Sequence, residues 1–199
     1  MQRIAGMRRR VATFGGLAAL GIAGLIWLAP AAGQEPAVAS AERGGSGCSV
    51  ASVPVSNSTA TDLRRSLRCL INQERAIHGF GKLARNSSLQ KAAQRHTKTM
   101  VATDCLAHRC PGEVDLDTRL EQAGYFDGAQ KWRFAENTGC GLSTEAMVAN
   151  WMGSVYHRVN ILDPEFDDVG VGVSKKAVDG RCKRKYGTFT VVFGTRDAP

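Results

Sequence analysis

Apolar positions along the chain fall at helical spacing in its first half and alternate with glycine or polar residues near its end. Leu63, Leu67, Leu70 and Ile71 mark a first helix. Asp62 is the expected cap, and His78 and Gly79 the expected stop. Asn86, Ser87 and Ser88 precede a second helix, with Leu89, Ala92, Ala93, His96, Met100 and Val101 on one stripe. A short third helix is expected over 115–124, carrying Leu116, Leu120 and Ala123. Residues 131–140 read as a strand. Ser143, Thr144 and Glu145 open a further helix, with Glu145 in the first turn, where the dipole favours an acid. That helix carries Met147, Val148 and Trp151, and a turn with His157, Asn160, Ile161 and Leu162 follows. Val169, Gly170, Val171, Gly172 and Val173 predict a strand with one apolar and one bare face, open to close approach by another element. Residues 187–193 are its expected hairpin partner, reached through Val178, Asp179 and Gly180. Helices followed by an antiparallel sheet give a layered α+β domain.

The first 39 residues have a different composition. Arg3, Arg8, Arg9 and Arg10 precede an apolar stretch over 11–32, and Ala37, Val38 and Ala39 offer a small-residue cleavage site before Ser40. This is the layout of a secretory signal peptide. The stretch is also long enough to span a bilayer of roughly 30 Å as an uncleaved anchor, so secretion and tethering with the domain outside both remain open. Residues 40–61, rich in Ala, Gly, Ser, Pro and Val, are expected as a linker, and 62–196 as one domain.

Six cysteines lie beyond the signal: Cys48, Cys69, Cys105, Cys110, Cys140 and Cys182. Export and an even number point to three disulfides, among about fifteen arithmetically possible pairing schemes. Cys105 and Cys110 are close enough to close a small loop beside His108, although a Cys-x4-Cys pair could also be half a metal site. Cys48 lies just before the helix holding Cys69, which suggests that pair and leaves Cys140 with Cys182. The formal charge is +8, and without Arg3, Arg8, Arg9, Arg10 and Glu35 the rest of the chain carries +5. Much of the excess falls between Lys175 and Lys185, which suits either solvation or contact with anionic lipids or wall polymers. No pattern suggests nucleic-acid binding.

The chemistry-bearing residues cluster in the middle of the chain. An acid, Glu136, and two histidines, His108 and His157, would make a metal or proton-transfer site if they converged. Ser154 and His157 stand three apart on one helical face, but no nucleophile-elbow pattern accompanies them. His96 falls on an apolar stripe and reads more simply as a packing residue than as a ligand. Glu74 and Arg75 could pair on the first helix, or Arg75 could reach a neighbouring acid. Arg158 and Asn160 are suited to brace the turn around His157.

In order, Leu70-Ile71-Asn72-Gln73-Glu74-Arg75, Ala92-Ala93-x-x-His96, Ala107-His108, Arg119-x4-Gly124-Tyr125, Glu136-Asn137, Trp151-Met152-x-Ser154-x-x-His157-Arg158-x-Asn160-Ile161-Leu162, the Val-Gly strand and Phe193-Gly194 resemble a bacterial, YkwD-like member of the CAP (SCP-like) superfamily. The resemblance implies a three-layer αβα sandwich with a central antiparallel sheet. It also implies a cleft lined by His108, Glu136 and His157, supported by Asn137, Trp151, Ser154, Arg158 and Asn160. In animal relatives a second glutamate, on the helix after the tryptophan, completes a tetrad able to bind zinc. Here Trp151-Met152-Gly153-Ser154 carries no carboxylate, and Glu145 is the nearest acid. Thr138 and Val155-Tyr156 also depart from the family pattern. No cofactor is required by this reading, and a divalent metal such as zinc on His108, His157 and Glu136 is its optional extension.

Three functions follow as expectations. The first is a secreted, monomeric, non-enzymatic binding module for a lipid, peptide or cell-wall ligand. The second is a metal-dependent hydrolase using the His/Glu cleft. The third is a structural envelope protein in which the anchor matters more than the cleft.

Overall fold

A computed structural model describes residues 48–178 and 180–197. The signal and cleavage site expected over 1–39 lie outside the described residues. The described residues hold a short 3-10 helix (Val55–Asn57) and five α-helices: α1 (Ala60–Ile77), α2 (Ser87–Ala102), α3 (Leu116–Glu121), α4 (Thr144–Gly153) and α5 (Val155–Ile161). Four strands, β1 (Ala84–Arg85), β2 (Trp132–Gly141), β3 (Asp168–Ser174) and β4 (Gly187–Arg196), form one sheet in the order β1-β3-β4-β2. β2, β4 and β3 pair antiparallel, as expected, but β1 runs parallel to β3. The sheet is therefore mixed. The added strand is only two residues long and sits where the chain passes from α1 to α2, so no periodicity announces it.

Helices cover both faces. Val169, Val171, Val173, Phe189, Val191 and Phe193 pack with α1, α4 and α5, burying Leu63, Leu67, Ile71, Val148, Trp151 and Ile161. Leu89, Ala92 and Ala93 of α2, with Leu120, Ala123 and Tyr125, pack on Val192 from the other side. The bare side of β3 lies directly beneath α2. A Cβ built on Gly170 would fall 2.1 Å from the Leu89 carbonyl carbon, and one on Gly172 2.3 Å from the Ala93 oxygen. The Val-Gly face is thus filled by a helix and is no ligand groove.

α1 starts two residues before the expected cap. The Thr59 hydroxyl accepts from the Asp62 amide at 3.1 Å and donates to the Asp62 carboxylate at 2.7 Å. Asp62 is a first-turn partner of the cap, bonded twice to the same hydroxyl. Residues 48–61 are likewise more than a tether. Ala51 and Val55 are buried, and the Ala51 carbonyl accepts from the Thr144 hydroxyl at 3.1 Å. Arg75 pairs with no acid. Its buried guanidinium donates to the carbonyls of Gly81, Ile161, Asp163 and Phe166 at 2.6–3.2 Å, tying α1 to the segment after α5. Disulfides join Cys48–Cys69, Cys105–Cys110 and Cys140–Cys182.

Candidate functional site

Three elements deliver charged side chains to one buried point. β2 pairs along its whole length with β4, and this register turns Glu136 inward, where its side chain is 2% exposed. α3 presents Arg119 from a face that also buries Leu120. α2, whose apolar stripe lies on the sheet, carries His96 at the same depth. Between α2 and α3 the chain loops out, and the Cys105–Cys110 disulfide closes this loop around His108.

The Arg119 guanidinium forks onto Glu136, with Nη1 at 2.9 Å from Oε2 and Nη2 at 3.3 Å from Oε1. Nη2 also donates to the His108 carbonyl at 2.9 Å. The His108 ring, itself 63% exposed, reaches Glu136 Oε1 through Nδ1 at 3.1 Å. His96 places Nδ1 at 2.8 and 2.9 Å from the two Glu113 oxygens and Nε2 at 3.0 Å from the Ala107 carbonyl. Both of its ring nitrogens therefore face oxygen atoms of the loop. Glu113 Oε2 in turn accepts from the Cys110 amide at 3.2 Å. Two acids, Glu113 and Glu136, and three basic side chains, His96, His108 and Arg119, thus form one network that ties the disulfide loop to α2, α3 and β2. His96 lies on the apolar stripe yet is the hub of this polar network.

Burial on its own would raise the Glu136 carboxyl. The hydrogen bond from His108, the charge and hydrogen bond of Arg119 and the charge of His96 outweigh it, so the group is held below the ordinary carboxylate range.

His157 approaches from α5 and does not join this network. Its Nδ1 meets Ser154 Oγ at 3.0 Å, and among the described residues no hydrogen bond links its ring to Glu136. Asn137 holds its backbone, and the other supporting residues bond around it. Asn137 donates to the His157 carbonyl at 3.0 Å, Asn160 donates to Asn137 Oδ1 at 2.8 Å, and Trp151 Nε1 donates to the Thr138 carbonyl at 3.2 Å. Arg158 braces the turn through the Met152 carbonyl at 3.3 Å. Partial burial, and then the nearby charge of His108, push the His157 pKa below its usual value. An NMR titration of the ring is expected to show a midpoint below about 6.5, the unperturbed value. Because the folded pKa is the lower one, the neutral ring's contribution to stability is complete above the unfolded value. It is lost as pH falls through the folded one.

Neither a metal site nor a nucleophilic relay is formed by these residues. A zinc site needs three or four converging donors. Glu136 already carries a guanidinium across both oxygens, a positive charge that opposes a second cation. His157 is turned to Ser154. Among the described residues no group of three or more His, Cys, Asp or Glu side chains is placed to hold an ion. The His108, Glu136 and His157 set therefore does not fit zinc in this arrangement. Ser154 is the N-cap residue of α5, and its contact with His157 is local to that turn. The acid that would orient His157 is committed to Arg119, so no Ser-His-Glu relay exists. Two open grooves lie nearby. One, of about 420 Å³, is lined by residues that include Arg133, Arg158, Val159 and Glu165, and the other by residues that include Trp132 and Arg196. Neither is walled by His108, Glu136 or His157.

Sequence reasoning placed Arg119 in a motif without a role, and missed Glu113. Glu113 lies three residues past the disulfide loop, and only the folded chain shows that it meets His96 of α2.

The model of the cysteine-rich secretory protein family, CAP, matches residues 69–193. The protein YkwD of Bacillus subtilis (strain 168) is 31% identical over 105 residues, which span 52% of this chain and 39% of YkwD. An outer surface protein of Borrelia burgdorferi superposes with a TM-score of 0.58 at 17% identity, covering 70% of this chain and 97% of its own. An extracellular SCP-domain protein of Bacillus anthracis superposes with a TM-score of 0.53 at 24% identity, covering 68% and 43%. The two structures share the fold.

Proposed function

The chain belongs to the CAP family, and from that premise we propose that it is an exported, non-enzymatic binding module for a lipid, peptide or envelope fragment. The observation that carries this reading is the closed state of Glu136. The one carboxylate of the His108–Glu136–His157 set is spent on Arg119, His108 and the loop. It acts as a structural anchor, not as a base or metal ligand. What remains at the surface is a pair of imidazoles on rigid supports. His108 is held by a disulfide loop, and His157 by the Asn137–Asn160 brace. Two prepositioned rings of this kind can donate to or accept from a ligand's polar head without first being ordered, which lowers the cost of binding. Three disulfides and the extracellular SCP-domain relative support export.

Native mass spectrometry of protein purified without denaturation tests the reading. A retained small ligand is expected, and its loss in His157→Ala at unchanged melting temperature. Absence of binding across broad lipid, peptide and glycan panels would sink it.

A further inference from the structure

The β3–β4 connection is a cation-rich stretch of the chain. Lys175, Lys176, Arg181, Lys183, Arg184 and Lys185 are all exposed, and Asp179 is the only acid in that stretch of sequence. Ion pairs among the described residues lie elsewhere, at the α1 N-terminus, around Glu113 and Glu136, on Arg109 and on Arg133.

This segment is held firmly. Val178 is fully buried and packs with Met100 and Cys110, and Cys182 is bonded to Cys140 on β2. The Cys182 amide donates to the Val178 carbonyl at 3.2 Å, and Thr188 Oγ1 donates to the Lys176 carbonyl at 2.8 Å. A solvated tail has no need of a buried valine and a disulfide. Six cations held on such a base form a preorganised positive surface.

We propose that this loop is a docking surface for a linear polyanion, a polymer bearing repeated phosphate groups. Arg181 and Arg184 suit bidentate contact with phosphate oxygens, and the lysines add point charges along the chain. A bilayer is the less suitable partner because the segment exposes no large apolar side chain to insert. Among the described residues the exposed ones are Ile77, Val114, Trp132, Val155, Tyr156 and Val159. The six cations do not include His108, Glu136 or His157, so the polyphosphate test is read independently of the proposed function.

Long-chain inorganic polyphosphate is the probe, titrated against the intact chain at several salt concentrations. The variant Lys183→Gln/Arg184→Gln/Lys185→Gln leaves Val178 and Cys182 untouched and is expected to keep its melting temperature. Its affinity should fall on the order of 100-fold at low salt, from about a factor of five per removed cation near an anionic surface. The log–log salt slope should flatten by about 2, on the order of 0.7 per lost contact with a flexible single-stranded polyanion. A matched variant, Arg64→Gln/Arg65→Gln/Lys82→Gln, removes the same charge from α1 and the turn after it and should lose less than about threefold, in line with screening of distant charges. Equal loss in the two variants would show that net charge rather than the loop governs binding and would overturn the proposal. So would a loop needed for binding 3:1 phosphatidylcholine–phosphatidylglycerol vesicles but not polyphosphate.

Discussion

Glu136→Ala is expected to destabilise the domain by roughly 3–5 kcal/mol, with the melting temperature falling on the order of 10–20 °C. The substitution strands the Arg119 guanidinium, only 5% exposed, with no counter-charge at hydrogen-bonding distance, and removes the acceptor that holds the His108 ring. Glu113 cannot take over, because its nearest oxygen is 3.9 Å from Arg119 Nε. A buried ion pair broken from one side costs more than the pair contributes, since an uncompensated charge is left behind. Arg119→Met combined with Glu136→Ala should therefore cost less than the sum of the single changes, and a thermal double-mutant cycle reads the difference. If the double variant were additive, the two side chains would not be coupled as described. pH gives an independent check. The folded Glu136 carboxyl lies below its unfolded value, so its contribution is complete above about pH 4.3 and is lost as pH falls through the folded value. Glu136→Ala should remove part of the acid sensitivity of unfolding.

Gly170→Ala should be the second severe change, although glycine in a strand is ordinarily a weakness. Replacing glycine where the backbone permits stabilises by about 0.4–1 kcal/mol through the unfolded chain. At Gly170 the added methyl would sit 2.1 Å from Leu89 C and 2.2 Å from Gln90 N, both backbone atoms in α2. Nothing can rotate away, so the helix itself must lift from the sheet. That cost is expected to exceed about 3 kcal/mol, beyond ordinary overpacking. Gly139→Ala is the matched control. Its methyl meets the Met147 Cε at 2.7 Å and Trp151 Nε1 at 3.3 Å, so side chains rather than helix backbone must give. Urea midpoints of the two variants should differ, with Gly139→Ala the nearer of the two to the parent. Similar midpoints would mean that α2 does not rest on β3 as tightly as these distances require.

Helix and strand positions were largely legible in the chain because each obeys a local rule. Leu63, Leu67, Leu70 and Ile71 lie on one face of α1, and Leu89, Ala92 and Ala93 on one face of α2, wherever those helices go. Alternating valine and glycine makes β3 a strand with one bare side, and the ordered family motifs identified the fold that the comparisons bear out. The start of α1 was misread: Asp62 looks like a cap on its own, but Thr59 three positions earlier is the residue that caps the helix. β1 gave no signal, being two residues that pair only because α1 and α2 set their ends beside β3.

The sequence by itself determined the elements, their apolar faces and the family, because those depend on neighbours a few positions apart. It also supplied the residue types of the candidate site. Only the tertiary structure decided their partners. Arg119 and Glu136 are 17 positions apart and belong to a helix and a strand on different paths. The guanidinium of Arg75 finds carbonyls 86 to 91 positions away, where a local reading offers it an acid. Desolvation is the physical reason. A buried charge must be satisfied by whatever the fold brings within reach, and that choice is made when the layers close. Glu136 thereby becomes the anchor of a loop, and His157, a few residues beyond Trp151, is left facing the surface.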